Sequence, residues 1–191
     1  MKKELKKTYK LTNQIFSNIN HFCKDCNTCC KTYGWLLKEE ADEFSKKGYP
    51  VVKINNNLYC IDSFARNKNA KLILDKIPRC VYYKNRRCLI HQERPLDCRL
   101  YPIKIRFNQN KIFIGLSLGC KYVFSLSKKE KNKIYQNIIN FFEKSPKSVI
   151  NEYLDLIYQI NSISQPKQFW MKKIIEIKKQ NSCWKIIKLN L

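Results

Sequence analysis

HFCKDCNTCC occupies residues 21–30 and places four cysteines within eight positions, the last two adjacent. A gap of two residues lets two sulfurs reach one metal ion while the intervening backbone N–H groups turn toward the thiolates. Three thiols at this spacing also suit a loop that holds three corners of an iron–sulfur cluster. Because neighbouring side chains tend to diverge, we expect Cys29 and Cys30 to serve different metals, or one of them to face the core. The stretch predicts half of a thiolate cage.

A second group of cysteines follows later in the chain. Cys98 lies in ERPLDCRLYP (93–102), where Pro95 can begin a short helical turn that presents the sulfur. Gly119 directly precedes Cys120 and would let the backbone approach a bound metal. The predicted metal ligands are the eight cysteines of the two groups, namely Cys23, Cys26, Cys29, Cys30, Cys80, Cys88, Cys98 and Cys120.

Three polar side chains lie close in sequence to these candidate ligands. Arg94 and Arg99 bracket Cys98. Their guanidinium groups would offset the negative charge of the thiolates and donate hydrogen bonds to sulfur, and the alternative for each is a surface salt bridge. His91 lies three residues after Cys88 and is a candidate for the same supporting role or for direct ligation.

Three further residues keep open roles. His21 lies two residues before the first cysteine and is either a ligand or a chance neighbour. Cys60 and Cys183 fall outside the two cysteine groups, and we expect them to be small buried hydrophobes.

The two cysteine groups together resemble the CxxCxxCC cysteine-cluster family. The resemblance rests on CKDCNTCC (23–30), on an L-x-x-E-E helix motif formed here by Leu36, Glu39 and Glu40, and on CLIHQERPLDCRLYP (88–102) preceded by Cys80. It covers about residues 22–122, and Asn27 stands where members usually have glycine. The resemblance implies a zinc- or iron-chelating domain, and one branch of the family includes flagellin lysine N-methylase.

The sequence favours a metal-binding protein over other functional classes. The chain has only four glycines, and none forms a G-x-G-x-x-G or phosphate-binding loop. There is also no G-x-S-x-G motif. We therefore expect a protein that chelates zinc or iron, with an iron–sulfur cluster as one form of the site. The alternatives are a metal-dependent protein lysine N-methyltransferase-like enzyme, from the resemblance, and a basic nucleic-acid-binding module with structural zinc. Whether the protein is an enzyme stays open.

The strong positive charge indicates the kind of partner. Thirty-eight Lys and Arg against 15 acidic residues give a formal charge of +23, yet only seven of the basic residues are Arg and the Lys are spread along the whole chain. This distribution predicts nonspecific attraction to polyanions and does not favour specific nucleic-acid binding. A protein partner stays undefined.

The cysteine count also bears on the compartment. The N-terminus, MKKELKKTYKLTNQ, has no apolar run of signal-peptide length, and no stretch approaches the roughly 18 apolar residues of a membrane span. We expect a cytoplasmic protein without a membrane span, in which reducing conditions keep the thiols available for metal.

Periodicity predicts an α+β fold, with a small irregular cysteine-rich metal core and short β-hairpins covered by N-terminal and C-terminal helices. The predicted division is an N-terminal helix over 1–20, a cysteine-cluster domain over 21–125 and a C-terminal helical segment over 126–191. Hairpins are expected around 55–57, 84–87 and 108–110, and a helix is expected within 36–48.

The C-terminal segment shows the clearest helical signals. Ser127 with Glu130 three residues later predicts a capping box, and Ser145-Pro146 predicts the start of a second helix. Apolar residues at Trp170, Ile174 and Ile177 predict a last helix.

Overall fold

A computed structural model describes most of the chain. The described residues are 2–16, 19, 28–31, 34–55, 57–63, 65–66, 72–73, 80–108, 111–117, 119–163, 175–180 and 183–189. Backbone proximity divides the chain into two units, one built mainly from Asn18–Arg99 and the other from Lys2–Ser17 with Leu100–Leu191. Helices stand beside small antiparallel sheets, which confirms the predicted α+β class.

The regular elements are numbered in chain order. The helices are α1 (Lys3–Thr12), α2 (Lys38–Lys46), α3 (Leu96–Leu100), α4 (Lys121–Ser125), α5 (Lys128–Lys144) and α6 (Lys147–Ile163). The strands are β1 (Trp35–Leu36), β2 (Val51–Asn55), β3 (Leu58–Ile61), β4 (Ala65–Arg66), β5 (Leu72–Ile73), β6 (Tyr83–Lys84), β7 (Arg87–Cys88), β8 (Ile103–Asn108), β9 (Lys111–Leu116), β10 (Ile175–Gln180) and β11 (Cys183–Leu189). Two single 3₁₀ turns are also present, Cys29–Lys31 and His91–Glu93.

The first unit is organised around a small apolar core. A three-stranded antiparallel sheet in the order β1-β3-β2 packs against α2. Its core is formed by Leu36, Ala41, Phe44, Ile61 and Ile90. Helix α2 confirms the helix predicted within 36–48, and it stops before Gly48, whose φ of 73° is one that glycine adopts without a Cβ penalty.

Two short hairpins of this unit were expected from the sequence. Strands β2 and β3 pair antiparallel around the Asn-rich turn, and β6 pairs with β7 around Asn85 and Arg86. Both turn residues have positive φ, 49° and 60°, which matches the left-handed turn that suits the twist of a two-residue hairpin. The second hairpin has Cys80 just before its first strand and Cys88 at the end of its second.

The second unit combines a four-stranded sheet with three longer helices. The sheet has the order β11-β10-β9-β8, and the β8–β9 hairpin confirms the prediction around 108–110. Helix α6 packs on β8, and α1 packs on α5 and α6. The largest fully buried side chains of this unit are Leu5, Ile15, Leu100, Ile112, Ile114, Ile138, Phe141 and Leu154.

The capping box of α5 forms as predicted. The Glu130 N–H donates to Ser127 Oγ at 3.3 Å, and the Ser127 N–H donates to Glu130 Oε2 at 2.7 Å. Two backbone donors that a helix start leaves unsatisfied therefore find side-chain partners.

The predicted last helix is wrong where the structure describes it. Residues Ile175–Gln180 form β10, which pairs antiparallel with β9 and places Ile177 opposite Ile112. The alternation Ile-Glu-Ile-Lys from residue 175 fits the period of a strand, and β9 offers an edge whose backbone groups need partners. Among the described residues of the segment 126–191, helix extends to Ile163 and strands follow from Ile175, while residues 164–174 lie outside the described part.

Helix α1 covers part of the N-terminal helix predicted over 1–20, and residue 19 is also helical. It ends at Thr12, where the hydroxyl donates to the Tyr9 carbonyl at 2.7 Å and the next amides close tighter three-residue turns. The predicted domain limits, and the covering of the cysteine-rich part by terminal helices, stay predictions. Within the described residues, no helix is both long enough and apolar enough to cross a bilayer.

Candidate metal centre

The structure describes the side chains of seven of the ten cysteines, and all seven are thiols that form no disulfide. Cys29 and Cys30 lie in a 3₁₀ turn, Cys80 precedes β6, Cys88 ends β7 and Cys98 lies in the middle of α3. Cys23, Cys26 and His21 lie outside the described residues, as does the side chain of Cys183.

Two distant stretches of the chain meet at these cysteines. The Cys80 amide donates to the Cys30 carbonyl oxygen at 2.8 Å, which ties the first cysteine group to the start of the β6–β7 hairpin. The Cys29 hydrogen bond and burial are the main reasons that the pKa of Cys30 is raised, and negative charge at Cys80 and Cys88 adds to that rise. The fold therefore brings members of both cysteine groups into one neighbourhood within the first unit.

The adjacent cysteines do not diverge. The sulfurs of Cys29 and Cys30 lie 3.9 Å apart and share a hydrogen bond, so the expectation that their side chains point away from each other is wrong. Both residues belong to the 3₁₀ turn Cys29–Lys31. Two thiols in contact can act as one chelating pair.

The shared proton separates the pKa values of this pair. The hydrogen bond from Cys30 and the positive charge of Arg94 lower the pKa of Cys29 to about 7, although burial opposes this change. The same hydrogen bond, together with burial, raises the pKa of Cys30. At neutral pH one sulfur of the pair is therefore substantially a thiolate, which is the form that binds metals.

The hairpin directs backbone donors at its own cysteines. Burial raises the pKa of Cys80, and backbone hydrogen bonds from Tyr82 and Tyr83 oppose this rise. Burial likewise raises the pKa of Cys88, against a backbone hydrogen bond from Ile90. Backbone N–H groups aimed at sulfur stabilise the thiolate, so this local geometry suits cysteines that give up their protons to a metal.

Cys98 comes to the same region from a different element. It occupies the third position of α3, and the Arg99 amide donates to the Pro95 carbonyl at 3.0 Å, as expected for a turn that begins at this proline. The nearest glycine is Gly34, where an added Cβ would lie 3.5 Å from the Cys98 sulfur. Burial raises the pKa of Cys98, and the charges of Asp97 and Cys29 add to that rise.

The two arginines next to Cys98 bind backbone oxygens of their own loop. Arg94 Nε donates to the His91 carbonyl at 2.9 Å, and Arg99 Nε donates to the Arg94 carbonyl at 2.6 Å. After burial, the charge of Arg94 is the largest influence on the pKa of His91, and it lowers that pKa. Arg94 thus supplies positive charge to this region, while its hydrogen bonds to sulfur stay a prediction.

Cys60 and Cys120 differ from the cysteines described so far. Cys60 is fully buried in β3 and donates to the Ile61 carbonyl at 3.2 Å, which confirms the predicted small buried residue. Cys120 is buried just before α4 in the second unit. At the neighbouring Gly119, an added Cβ would lie 3.8 Å from Ser117 Oγ, an ordinary van der Waals contact. Nothing among the described residues therefore crowds Gly119.

No three His, Cys, Asp or Glu side chains among the described residues form a group that could hold a metal ion. The first cysteine group is only half represented there, because Cys23 and Cys26 belong to the stretch 20–27 outside it. The pair Cys29–Cys30 therefore stands as the described part of the candidate site, and the full set of metal ligands stays a prediction.

The structure shows roles near this site for Gly34 and Glu40 that the sequence did not predict. Gly34 allows β1 to approach Ile61 and Cys98, and Glu40 buries its carboxylate between two helix starts. Only Glu40 had a sequence signal, its place in the L-x-x-E-E motif, and that motif does not say what the carboxylate binds.

Comparison with known protein families gives one result that covers this site. A family model named CxxCxxCC, described as a "putative zinc- or iron-chelating domain", matches residues 22–121. Comparison with curated proteins and with solved structures gave no match. The match includes every cysteine of both groups and slightly more than half of the chain, which supports a metal-binding role. The chain belongs to the CxxCxxCC family of zinc- or iron-chelating domains.

Proposed function

We propose that this protein chelates zinc or iron through cysteine thiolates of its two cysteine groups. The observation that carries the proposal is the meeting of the Cys29–Cys30 pair with the β6–β7 hairpin, joined by the 2.8 Å bond from the Cys80 amide. The proposed donors are Cys23, Cys26, Cys29, Cys30, Cys80, Cys88, Cys98 and Cys120. Cys120 belongs to this set on the family resemblance alone.

The spacing of the pair indicates which kind of centre it suits. Two thiolates on one tetrahedral ion, each at about 2.3 Å, lie about 3.8 Å apart. The observed 3.9 Å between the sulfurs of Cys29 and Cys30 is close to that distance. A four-iron cluster instead takes one thiolate on each of its irons. The pair therefore favours a single tetrahedral ion, or one iron of a two-iron cluster.

The surrounding residues lower the cost of deprotonating the thiols. Backbone N–H groups of the hairpin point at Cys80 and Cys88, and the charge of Arg94 acts on Cys29. A bound metal would supply the positive charge that holds several thiolates together. Among these thiols only Cys29 has a lowered pKa, of about 7, whereas burial keeps the pKa values of Cys80 and Cys88 raised. A metal that binds to Cys80 and Cys88 must therefore displace their protons, and the backbone N–H groups reduce the cost of doing so.

No observation among the described residues favours the lysine N-methyltransferase or the nucleic-acid-binding alternative, and we propose neither. We place the protein in a reducing compartment such as the cytoplasm, because metal-binding thiols must escape oxidation.

Anaerobic purification followed by elemental analysis and visible spectroscopy tests the proposal. We expect about one metal ion or more per chain. A colourless protein with zinc would indicate a zinc site, and brown colour with acid-labile sulfide would indicate an iron–sulfur cluster. Protein that retains less than about a tenth of an equivalent of zinc and of iron, even after anaerobic loading and dialysis, would refute the proposal.

Two cysteine variants localise the bound metal. Cys29→Ser should lose most of the metal, because it removes the sulfur with the lowered pKa. Cys60→Ala is the matched control, since Cys60 is buried in the same unit and already bonded to a carbonyl. Equal metal content in the two variants would remove Cys29 from the donor set.

A further inference from the structure

The first unit contains a buried carboxylate that joins two helices. Glu40 is 2% exposed. Its Oε2 accepts the Leu37 N–H at 2.9 Å, and its Oε1 accepts the Leu96 N–H at 2.6 Å. The first bond closes the start of α2 within its own turn, while the second reaches across 56 residues to the first residue of α3. Both carboxylate oxygens are therefore engaged with backbone donors.

The second bond matters because of what α3 carries. A helix of five residues has too few internal hydrogen bonds to hold its own position, so its place depends on contacts from outside. Cys98 lies two residues after Leu96 on this helix. The negative charge of Glu40 also stands at the positive end of both helices, where it is favourable. The Leu96 amide thus links Glu40 directly to the helix that carries Cys98.

Other contacts hold α3 along its length and toward its end. Leu96 and Leu100 are 0% and 1% exposed, so the apolar side of α3 is fixed by packing. Asp97 accepts the Trp35 N–H at 3.4 Å, a long bond. The bond from Leu96 to Glu40 is the short, charged contact at the start of the helix, and charge-assisted hydrogen bonds are about twice as strong as neutral ones.

We propose that Glu40 is a positioning residue of the metal centre, which sets the place of Cys98 through the Leu96 amide. This inference rests on the proposed function, because it assumes that Cys98 is a metal ligand. It also assigns a role to Glu40, the second glutamate of the L-x-x-E-E motif, whose carboxylate accepts the hydrogen bond from the Leu96 amide. Supporting residues around metal ligands typically change metal affinity about 10- to 100-fold when they are replaced.

A pair of charge-matched variants tests the inference. Glu40→Gln removes the charge and replaces one acceptor by an NH₂ group that cannot accept the bond from Leu96 or Leu37. Asp42→Asn removes the same charge from the same helix at an exposed position, where Asp42 pairs with Lys38 one turn away. Zinc affinity is measured by competition with a chromophoric chelator, and circular dichroism confirms that each variant is folded.

We expect Glu40→Gln to weaken zinc binding about tenfold or more, and Asp42→Asn to leave it unchanged within about twofold. Urea denaturation with and without zinc separates positioning from general stability. A positioning role predicts a larger loss of the urea midpoint in the zinc-loaded protein than in the metal-free protein. Equal losses in both forms, with zinc affinity unchanged, would show that Glu40 only stabilises the fold and would overturn the inference.

Failure of the proposed function gives a different result, because the wild-type protein itself would then bind no zinc or iron. If Glu40→Gln does not fold, amide hydrogen exchange of the wild-type protein decides the question. We expect metal removal to speed exchange of the Leu37 and Leu96 amides more than that of Ile61, whose N–H is bonded to Gly34. Equal acceleration at all three amides would overturn the inference.

Discussion

Replacement of Gly34 by alanine tests whether this glycine is required by close packing beside Cys98. A Cβ at position 34 would lie 2.9 Å from Ile61 Cδ1, 3.4 Å from Ile61 Cγ1 and 3.5 Å from the Cys98 sulfur. The first distance is shorter than any comfortable contact between carbon atoms. Ile61 is 1% exposed and belongs to the core of the first unit, so its terminal methyl group has little room to move.

The expected cost follows from two opposing effects. Forcing an extra methyl group into a packed core costs about 1–3 kcal/mol. Gly34 does not have a positive φ, so alanine is compatible with the backbone there and recovers about 0.4–1 kcal/mol by restricting the unfolded chain. The difference between these two effects runs from about 0 to about 2.6 kcal/mol. We therefore expect Gly34→Ala to lower the free energy of unfolding by about 1.3 kcal/mol, the middle of that range.

A double-mutant cycle with Ile61→Val isolates this contact. Valine lacks the Cδ1 atom that is 2.9 Å from the built Cβ, and the change alone costs about 0.5–1.5 kcal/mol. In the valine background, Gly34→Ala should cost almost nothing, which gives a coupling free energy of about 1 kcal/mol or more. Urea denaturation of all four proteins at one fixed zinc concentration supplies the measurement.

Gly119→Ala is the matched control. A Cβ there meets only Ser117 Oγ at 3.8 Å, and its φ is not positive, so alanine should be neutral or stabilise by up to about 1 kcal/mol. If Gly34→Ala behaves like Gly119→Ala, or costs the same in the isoleucine and valine backgrounds, the packing argument is refuted.

Four further outcomes are expected. In metal-free protein at pH 7, Cys30→Ala should slow the alkylation of Cys29, which peptide mass spectrometry can measure. The reason is that the hydrogen bond from Cys30 is the main cause of the fall in the pKa of Cys29 from 9.0 to about 7. An unchanged alkylation rate would contradict this explanation. Ser127→Ala should lower the free energy of unfolding by about 0.5–2 kcal/mol in urea titrations, since it removes the helix cap, and a smaller loss would mean that the cap contributes little. Ile138→Ala should lower the free energy of unfolding by about 2–5 kcal/mol, because the side chain is fully buried. Tyr158→Ala, at a side chain that is 54% exposed, should lower it clearly less, and equal urea midpoints for the two variants would contradict the assignment of Ile138 to the core. Retention on heparin should disappear by roughly 0.3 M salt if the charge of +23 acts nonspecifically, and retention well above that would indicate a specific site.

Local signals predicted the short elements well, for a physical reason. A hairpin depends on its turn and on the alternation of a few residues, and both can be read around 55–57 and 84–87. The start of α5 depends on Ser127 and Glu130, which lie within one turn of each other. Interactions between residues this close in sequence form in much the same way whatever the rest of the chain does.

The last part of the chain shows where such signals become ambiguous. Apolar residues at 170, 174 and 177 fit a helix, and the run from Ile175 also fits a strand. The deciding factor is the unpaired edge of β9, which supplies hydrogen-bond partners for β10 along Ile175–Lys178. A neighbouring strand is a tertiary contact, so periodicity alone could not choose between the two structures.

The cysteine site combines both kinds of information. Residue types and spacing alone determined that thiolates from two groups are candidates for one metal centre, because ligand chemistry is a property of the side chains. The structure, not the sequence, showed that Cys29 and Cys30 lie in contact within one 3₁₀ turn. Only the tertiary structure decided that Gly34 packs closely against Ile61 and Cys98 and that Glu40 bonds to α3. These last two contacts depend on where backbone segments up to 64 residues apart come to rest, from Gly34 to Cys98, and no local pattern records such distances.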